Sequence, residues 1–139
     1  MGLPVSEGGI SHILERFAQK ALPVYVQIKE RIKAADFLGT NETGAKVNGK
    51  KYWFWTWQNK QLTFIVHSDN RGFKTIENTF ENGLPAAVLQ HDRWACHFQC
   101  TAKHHQICIA HLLRELNYLH EFYQNQWPTQ LKKATLSSH

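Results

Sequence analysis

The chain has 139 residues, which suits one domain, and 42% of them are hydrophobic, which favours a packed core over a disordered chain. Sixteen Lys and Arg against eleven Asp and Glu give a net charge of +5, which suits a polyanionic partner but is nearly as common in ordinary basic domains. No apolar run approaches the roughly 18 residues of a membrane span, so we expect no membrane. Three cysteines and no visible secretory signal indicate reduced thiols in a cytoplasm.

The first 35 residues predict a pair of helices. Ser6 is a suitable cap for a first helix over residues 8–20. The apolar positions of that helix repeat at helical spacing and are Ile10, Ile13, Leu14 and Phe17. Pro23 fits the first turn of a second helix that reaches about Ala35. We therefore expect an N-terminal helical segment, residues 1–35.

Three antiparallel strands are predicted next. Residues 37–43 have the pattern of a first strand, and Asn48-Gly49 is the strongest hairpin signal in the chain, because both residues tolerate the positive φ of a type I′ turn. Residues 51–58 and 61–67 are the second and third strands. The second strand carries aromatic residues on both faces, which predicts an interior strand that is covered on both sides.

The second half of the chain alternates helices and strands. The predicted elements are a short helix from Phe73 to about Gly83, a buried strand at 86–90, a helical stretch at 93–101, an apolar strand at 106–110 and a leucine-rich helix at 112–122. Residues 127–139 form a polar tail that either opens a truncated helix or is disordered.

This order of elements predicts an α/β domain with a mixed five-stranded sheet. Three antiparallel strands are followed by strand–helix–strand units, with helices on the faces of the sheet. That is the order of the RNase H-like fold, which we assign to residues 36–126.

In such a sheet, the first and fourth strands lie side by side. We therefore expect Asn41 on the first strand to face Asp92 at the end of the fourth. Two carboxylates at these places, with a third from a later helix, can hold two divalent ions about 3.5–4 Å apart and cleave a phosphodiester. Mg²⁺ prefers such oxygen ligands, but position 41 carries an amide.

Asp92 and Glu42 also have simpler interpretations. Asp92 can be the N-cap of a helix from Arg93 onward, and the residues alone do not decide between this role and metal binding. For Glu42 we prefer an exposed strand-end acid that pairs with Lys46 or Lys51. Since neighbouring strand residues point to opposite faces, Glu42 cannot replace the group at 41 without a bulge or register shift.

Three ordered motifs carry a resemblance to a known family. They are TNETGAKVNGKKYWFW at 40–55, RGFKTIENTFENGLPAAVLQHDRWACHF at 71–98 and HHQICIAHLLREL at 104–116. At their spacing they make residues 22–122 resemble the DDE transposase domain of the bacterial insertion-sequence family 66.

The resemblance implies an RNase H-like domain that cuts and joins DNA strands with Mg²⁺ or Mn²⁺. Asp92 matches the second catalytic Asp of the family, Asn41 stands at the position of the first, and Glu42 belongs to the motif directly after it. The family's third acid, a Glu in a downstream Asn-Asn-x-x-Glu-Arg motif, has no counterpart before His139. We therefore expect an inactive fragment of a catalytic core, with Asp92 and Asn41 as the magnesium ligand positions. The implied partners are double-stranded DNA at the element ends and further copies of the chain.

A different class of function follows from the segment CHFQCTAKHHQICIAH. Cys96, Cys100, His104 and Cys108 are candidate zinc ligands, and a non-enzymatic zinc- or DNA-binding module is the alternative function. The spacing argues against zinc, because no second closely spaced cysteine pair follows. Cys108, in a predicted apolar strand, needs no metal.

Basic residues near the predicted hairpin can contact DNA phosphates. Lys46, Lys50 and Lys51 cluster there, and Arg93 directly follows Asp92. Such contacts give salt-sensitive and sequence-independent affinity. An ordinary solvated edge, with lysines that guard against strand pairing, is the other interpretation.

Overall fold

The computed structural model describes residues 6–124 and 126–137. Its elements, in chain order, are α1 (Glu7–Lys33), β1 (Phe37–Val47), β2 (Lys50–Gln58), β3 (Thr63–Ser68), α2 (Phe73–Thr79), β4 (Leu84–His91), α3 (Ala95–Phe98), β5 (Ala102–Ile107), α4 (Ile109–Tyr123) and α5 (Trp127–Ser137). The strands form one sheet in the order β3-β2-β1-β4-β5. The β1–β2 and β2–β3 pairs are antiparallel, whereas the β1–β4 and β4–β5 pairs are parallel. The predicted α/β architecture with a mixed five-stranded sheet is confirmed.

The β1–β2 hairpin forms where the sequence predicts it. Asn48 and Gly49 have φ angles of 50° and 78°, as a type I′ turn requires. The turn fixes the register, because Val47 and Lys50 close the ladder on either side of it. The same register continues along both strands as far as the pair Gly39 and Gln58.

The two faces of β2 differ in burial. Trp55 and Trp57 are fully buried, whereas Phe54 on the other face is 41% exposed. β2 is an interior strand, as predicted, since it lies between β1 and β3. The expectation that both of its faces are covered is wrong, because the helices that supply core side chains pack on the tryptophan face.

The hydrophobic core therefore lies on one side of the sheet. Trp55 and Trp57 stack with their ring centroids 6.0 Å apart, and large aromatic side chains of this kind dominate the energetics of a core. The other core residues come from α1, α2, α3, their flanking loops and the strands β1, β3 and β4, and include Ile32, Leu38, Phe64, Ile76, Phe80, Leu84, Leu89, Cys96 and Cys100.

The N-terminal segment is one helix rather than a pair. Ser6 caps α1 as expected and accepts a hydrogen bond from the Gly9 N–H. Pro23 lies inside α1, so the predicted break is wrong. Proline removes one backbone hydrogen bond of a helix, but tertiary contacts fix the turns that follow it. There Ile32 is buried in the core, and the Tyr25 hydroxyl donates to a carbonyl of β3.

The elements after β4 differ most from the prediction. The helical stretch predicted at 93–101 is reduced to the four residues of α3. The predicted strand at 106–110 is wrong in position, because β5 starts at Ala102 and α4 starts at Ile109. β5 is an edge strand whose residues 103–106 are exposed, so no apolar pattern marks it in the sequence.

The polar C-terminal segment contains a helix, α5, which contacts α4. Positions 138 and 139 of the predicted tail lie outside the described residues. None of the helices that the structure describes is long and apolar enough to cross a membrane.

Candidate functional site

β1 and β4 are neighbours, as the sequence predicts. Their parallel pairing ends at Gly39 with Gln90, and Asn41 and Asp92 lie two residues further along their respective chains. β4 itself ends at His91, so Asp92 lies just beyond the strand. Its Oδ1 lies 3.6 Å from Nε2 of His97, the same nitrogen that contacts Glu42, and Asp92 is not among the residues that line the pocket of Asn41. The strands are therefore adjacent as expected, but the side chains of Asn41 and Asp92 do not face each other in one pocket.

Asn41 is exposed and opens into a small pocket on the sheet face opposite the core. The pocket has a volume of about 150 Å³ and is lined by Gly39, Thr40, Asn41, Thr56, Gln58, Gln90, Cys108 and His111. His111 lies in the first turn of α4, and its Nδ1 has no hydrogen-bond partner among the described residues. This lining contains amides, hydroxyls, a thiol and an imidazole, but no carboxylate.

Glu42 points to the other face of β1, where its side chain is only 1% exposed. Its Oε1 accepts hydrogen bonds from Nε and Nη2 of Arg71 at 3.1 and 3.0 Å, and its Oε2 lies 3.1 Å from Nε2 of His97. The expected exposed acid paired with Lys46 or Lys51 is therefore wrong. Strand alternation places Glu42 on the core side, and a carboxylate buried there needs charged partners close by.

The pKa of the Glu42 carboxyl reflects two opposing effects. Burial alone would raise this pKa, because the charged form loses hydration, but hydrogen bonds and charges of His97 and Arg71 outweigh burial and lower it. Glu42 is therefore ionised at neutral pH and both of its oxygens are engaged. It acts as an internal anion that links β1 to the segments carrying residues 71 and 97.

His97 connects Glu42 to Asp92. The imidazole is fully buried, and its Nε2, which faces Glu42, also lies 3.6 Å from Oδ1 of Asp92. The same Oδ1 accepts the Trp94 N–H at 2.9 Å, and the Asp92 side chain remains 23% exposed. The alternative in which Asp92 caps a helix from Arg93 is wrong, since α3 begins at Ala95 and its cap is Trp94.

Arg71 is held by two tryptophan rings beside this network. Its guanidinium carbon lies 4.6 Å from the centroid of Trp53 and 4.3 Å from the centroid of Trp94, distances at which a cation is attracted to an aromatic ring. The Lys51 Nζ lies 4.6 Å from the Trp53 centroid. Trp53 in turn packs over its cross-strand partner Gly44, where an added Cβ would lie 3.4 Å from the ring.

Sequence reasoning missed His97, Trp94 and Arg71 as parts of the site. These residues have no metal-ligand spacing to mark them. One sequence feature could have indicated His97. It is a polar residue that lies between Cys96 and Phe98, in a segment that also contributes to the core. A buried histidine of that kind needs a partner, and β1 offers Glu42.

The candidate zinc ligands do not form a centre. Cys96 and Cys100 are buried on the core side, His104 is exposed on β5, and Cys108 lines the Asn41 pocket. Within residues 6–124 and 126–137, no group of three or more His, Cys, Asp or Glu side chains is arranged to hold a metal ion. The zinc-module alternative therefore has no support.

The residues present do not fit a two-ion magnesium centre either. Such a centre relies on several carboxylates, whereas the acids that lie against His97 here are Asp92, with a side chain 23% exposed, and the buried Glu42. Asn41 is neutral, and both oxygens of Glu42 are engaged by Arg71 and His97.

The candidate DNA-binding residues fall into two groups. Lys46 and Lys51 are cross-strand partners beside the hairpin turn, where Lys50 is also exposed. Lys46, Lys51 and Trp53 line a shallow groove of about 350 Å³. Arg93 instead forms an ion pair with Glu115 of α4.

Comparison with known protein families identifies the class of protein that this sheet and site belong to. Residues 1–137 match the family described as Transposase IS66 family, so the match extends over almost the whole chain and includes every residue of the site. The protein is a transposase-family chain. It belongs to the Transposase IS66 family, and the resemblance that the three motifs carry is confirmed. No curated protein matches the sequence.

Proposed function

We propose that this chain is the RNase H-like core of a transposase that binds DNA at its element ends but assembles no catalytic metal centre of its own. The strand order β3-β2-β1-β4-β5, with parallel pairing only after β1, supports the architecture. Membership of a transposase family supports DNA as the partner and DNA strand cleavage and transfer as the ancestral activity.

The observation that carries the loss of activity is the amide at position 41. Asn41 stands at the position where the resemblance places the first metal-binding acid. A neutral amide oxygen offers little compensation for removing water from Mg²⁺. Glu42 does not replace it, because the Glu42 side chain is buried and both of its oxygens are bonded to Arg71 and His97. Asp92 is thus the remaining ligand, and Asn41 occupies the position of the lost one.

Manganese binding tests this proposal. We expect Asn41→Asp to raise Mn²⁺ affinity in titration calorimetry by roughly tenfold or more, because the affinity of an oxygen site rises with its ligand charge. The double variant Asn41→Asp/Asp92→Asn is the matched control and should return to the wild-type affinity. Equal affinities in wild type and Asn41→Asp would contradict the proposal. Nicking of cognate element ends by the wild-type chain in Mg²⁺ or Mn²⁺ would also contradict it.

We also propose that the exposed lysines of the β1–β2 hairpin contact the DNA backbone. Each lysine that neutralises a phosphate adds about 0.9 to the slope of log affinity against log salt. Exchanging Lys46, Lys50 and Lys51 for Gln should therefore lower that slope by about 2 to 3 in fluorescence-anisotropy titrations with a duplex. The charge-matched control exchanges three exposed lysines on other elements, which are Lys20, Lys103 and Lys133. If both triple variants lower the slope equally, the lysines act only through the net charge of the protein, and the proposed hairpin contact is refuted.

Self-association is the remaining part of the proposal. The N-terminal half of α1 leaves four apolar side chains at least half exposed, which are Ile10, Ile13, Leu14 and Phe17. Apolar area of this kind is stabilised when another surface covers it, and we propose a second copy of the chain. Sedimentation should show a dimer or larger assembly that Phe17→Glu dissociates, and a monomeric wild type would refute this part.

A further inference from the structure

A row of alternating cations and aromatic rings leads from the hairpin groove to Asp92. It consists of Lys51, Trp53, Arg71 and Trp94, with each cation 4.3 to 4.6 Å from the centroid of its neighbouring ring. We call these four residues the cation–aromatic row. The row crosses three separate parts of the chain, which are strand β2, the segment before α2 and the segment before α3.

The row is held rigidly by buried neighbours. Arg71 contacts two tryptophan rings and donates two hydrogen bonds to the buried carboxylate of Glu42. The Trp53 ring packs directly against Gly44, which has no side chain to hold the ring away from the strand. A surface whose side chains are already fixed loses little conformational entropy when a ligand binds.

Trp94 is the aromatic end of the row. It is 43% exposed even though the Arg71 guanidinium lies over its ring. Its backbone N–H donates to Oδ1 of Asp92, so the Trp94 backbone is held against the candidate metal-ligand position. A large aromatic ring in this position is available for stacking against a flat ligand.

We propose that Trp94 stacks against an unpaired nucleobase of a DNA strand, while the lysines of the hairpin groove contact the phosphates of the same strand. This inference rests on the proposed DNA-binding function and names the part of the DNA that this surface recognises. Aromatic rings combined with a basic groove are the general means of binding unpaired strands, because every base has a π face and every nucleotide carries a phosphate.

The charge distribution along the row sets the orientation of the strand. The groove end carries Lys46 and Lys51. At the Trp94 end, the charge of Arg71 is already paired with Glu42, and Asp92 adds a negative charge. Phosphates are therefore favoured at the groove, and a neutral base is favoured beside Asp92. A base within a duplex has both of its faces stacked against its neighbours, so only an unpaired base can reach the indole without disrupting the helix.

Binding of a blunt duplex and of the same duplex with a short single-stranded overhang tests the inference. In fluorescence-anisotropy titrations, wild type should bind the overhang duplex more tightly than the blunt one. The test pair is Trp94→Phe and Trp94→Leu, because both fill the space beside Arg71 but only Phe presents an aromatic face. Stacking on an aromatic side chain is worth roughly 5- to 100-fold in affinity. Trp94→Leu should therefore lose the gain from the overhang, while Trp94→Phe keeps part of it.

Trp127 provides the matched control, since it is 51% exposed at the start of α5 and outside the row. Trp127→Leu should keep the full gain from the overhang. If wild type binds the blunt duplex and gains nothing from the overhang, or if both Trp94 variants keep the full gain, the stacking inference is refuted while the proposed function stands. If wild type binds neither duplex, the proposed function itself fails.

Discussion

Asn41 and Glu42 are neighbours in the chain, yet they lie in two different environments. The side chain of Asn41 opens into a small pocket on one face of the sheet, whereas the Glu42 side chain is buried on the other face between Arg71 and His97. The alternation of a β-strand alone separates them. The comparison shows that two adjacent polar residues of one strand can have separate roles, because Glu42 is tied into the packed side of the sheet while Asn41 remains exposed.

The same division separates the three thiols. Cys96 lies on the core face beside the Glu42 network, where burial raises the pKa of its thiol to about 12, with added contributions from the charges of Glu42 and Asp92. Burial also raises the pKa of the Cys100 thiol. Cys108 lines the Asn41 pocket on the opposite face.

Thiol alkylation gives the largest expected difference between the two faces. A rise of the Cys96 pKa from an ordinary 9.0 to about 12 lowers its reactive thiolate fraction by about a thousandfold. Iodoacetamide should therefore label Cys108 first, as peptide mapping by mass spectrometry would show. In denaturant all three thiols should react alike. Labelling of Cys96 as fast as Cys108 in the native protein would mean that the core face is open.

Substitutions at Glu42 and at Asn41 compare how much each face of β1 contributes to the stability of the fold. Glu42→Gln should lower the free energy of unfolding by about 2–3 kcal/mol, because Arg71 and the buried His97 lose their anionic partner. Asn41→Ala removes an exposed amide and should change the same quantity by less than about 0.5 kcal/mol. Urea denaturation measures both. A cost for Asn41→Ala as large as that for Glu42→Gln would show that the pocket face is also structural.

Acid titration sharpens this comparison with a smaller effect. The pKa of Glu42 is lower in the folded chain than its ordinary value of 4.5. The contribution of the Glu42 carboxylate to the free energy of unfolding is therefore fully present above pH 4.5, and it is lost as the pH falls through the folded-state pKa. The difference in stability between wild type and Glu42→Gln should narrow below pH 4.5, whereas the difference between wild type and Asn41→Ala should stay constant. A difference for Glu42→Gln that persists at low pH would show that the carboxylate charge is not what stabilises the fold.

Much of the sheet was predictable because its signals are local. The Asn48-Gly49 turn fixes the hairpin, and alternation within β2 correctly places Trp55 and Trp57 on one face. The adjacency of β1 and β4 followed from the order of elements. The turn and the alternation depend on short-range backbone geometry, which a single sequence contains.

The parts that could not be predicted depend on contacts between distant segments. Strand alternation places the side chains of Glu42 and Asn41 on opposite faces of β1, but it does not indicate which of the two faces is covered by helices. The network of Glu42, Arg71 and His97 joins residues 29 and 55 positions apart. The continuity of α1 through Pro23 likewise depends on contacts with strands much later in the chain. In each case tertiary packing overrode the local preference.

The hydroxyl of Tyr25 has a consequence for how the sheet can grow. It donates to the carbonyl of Ile65 at 2.8 Å, and its ring lies 4.8 Å from that of Phe64. β3 ends the sheet on this side, and the outer backbone groups of such a strand are where a strand from another molecule would add. With α1 fastened there, fibre-like extension through β3 is blocked. Recruitment of a partner by strand addition would first require the middle of α1 to detach.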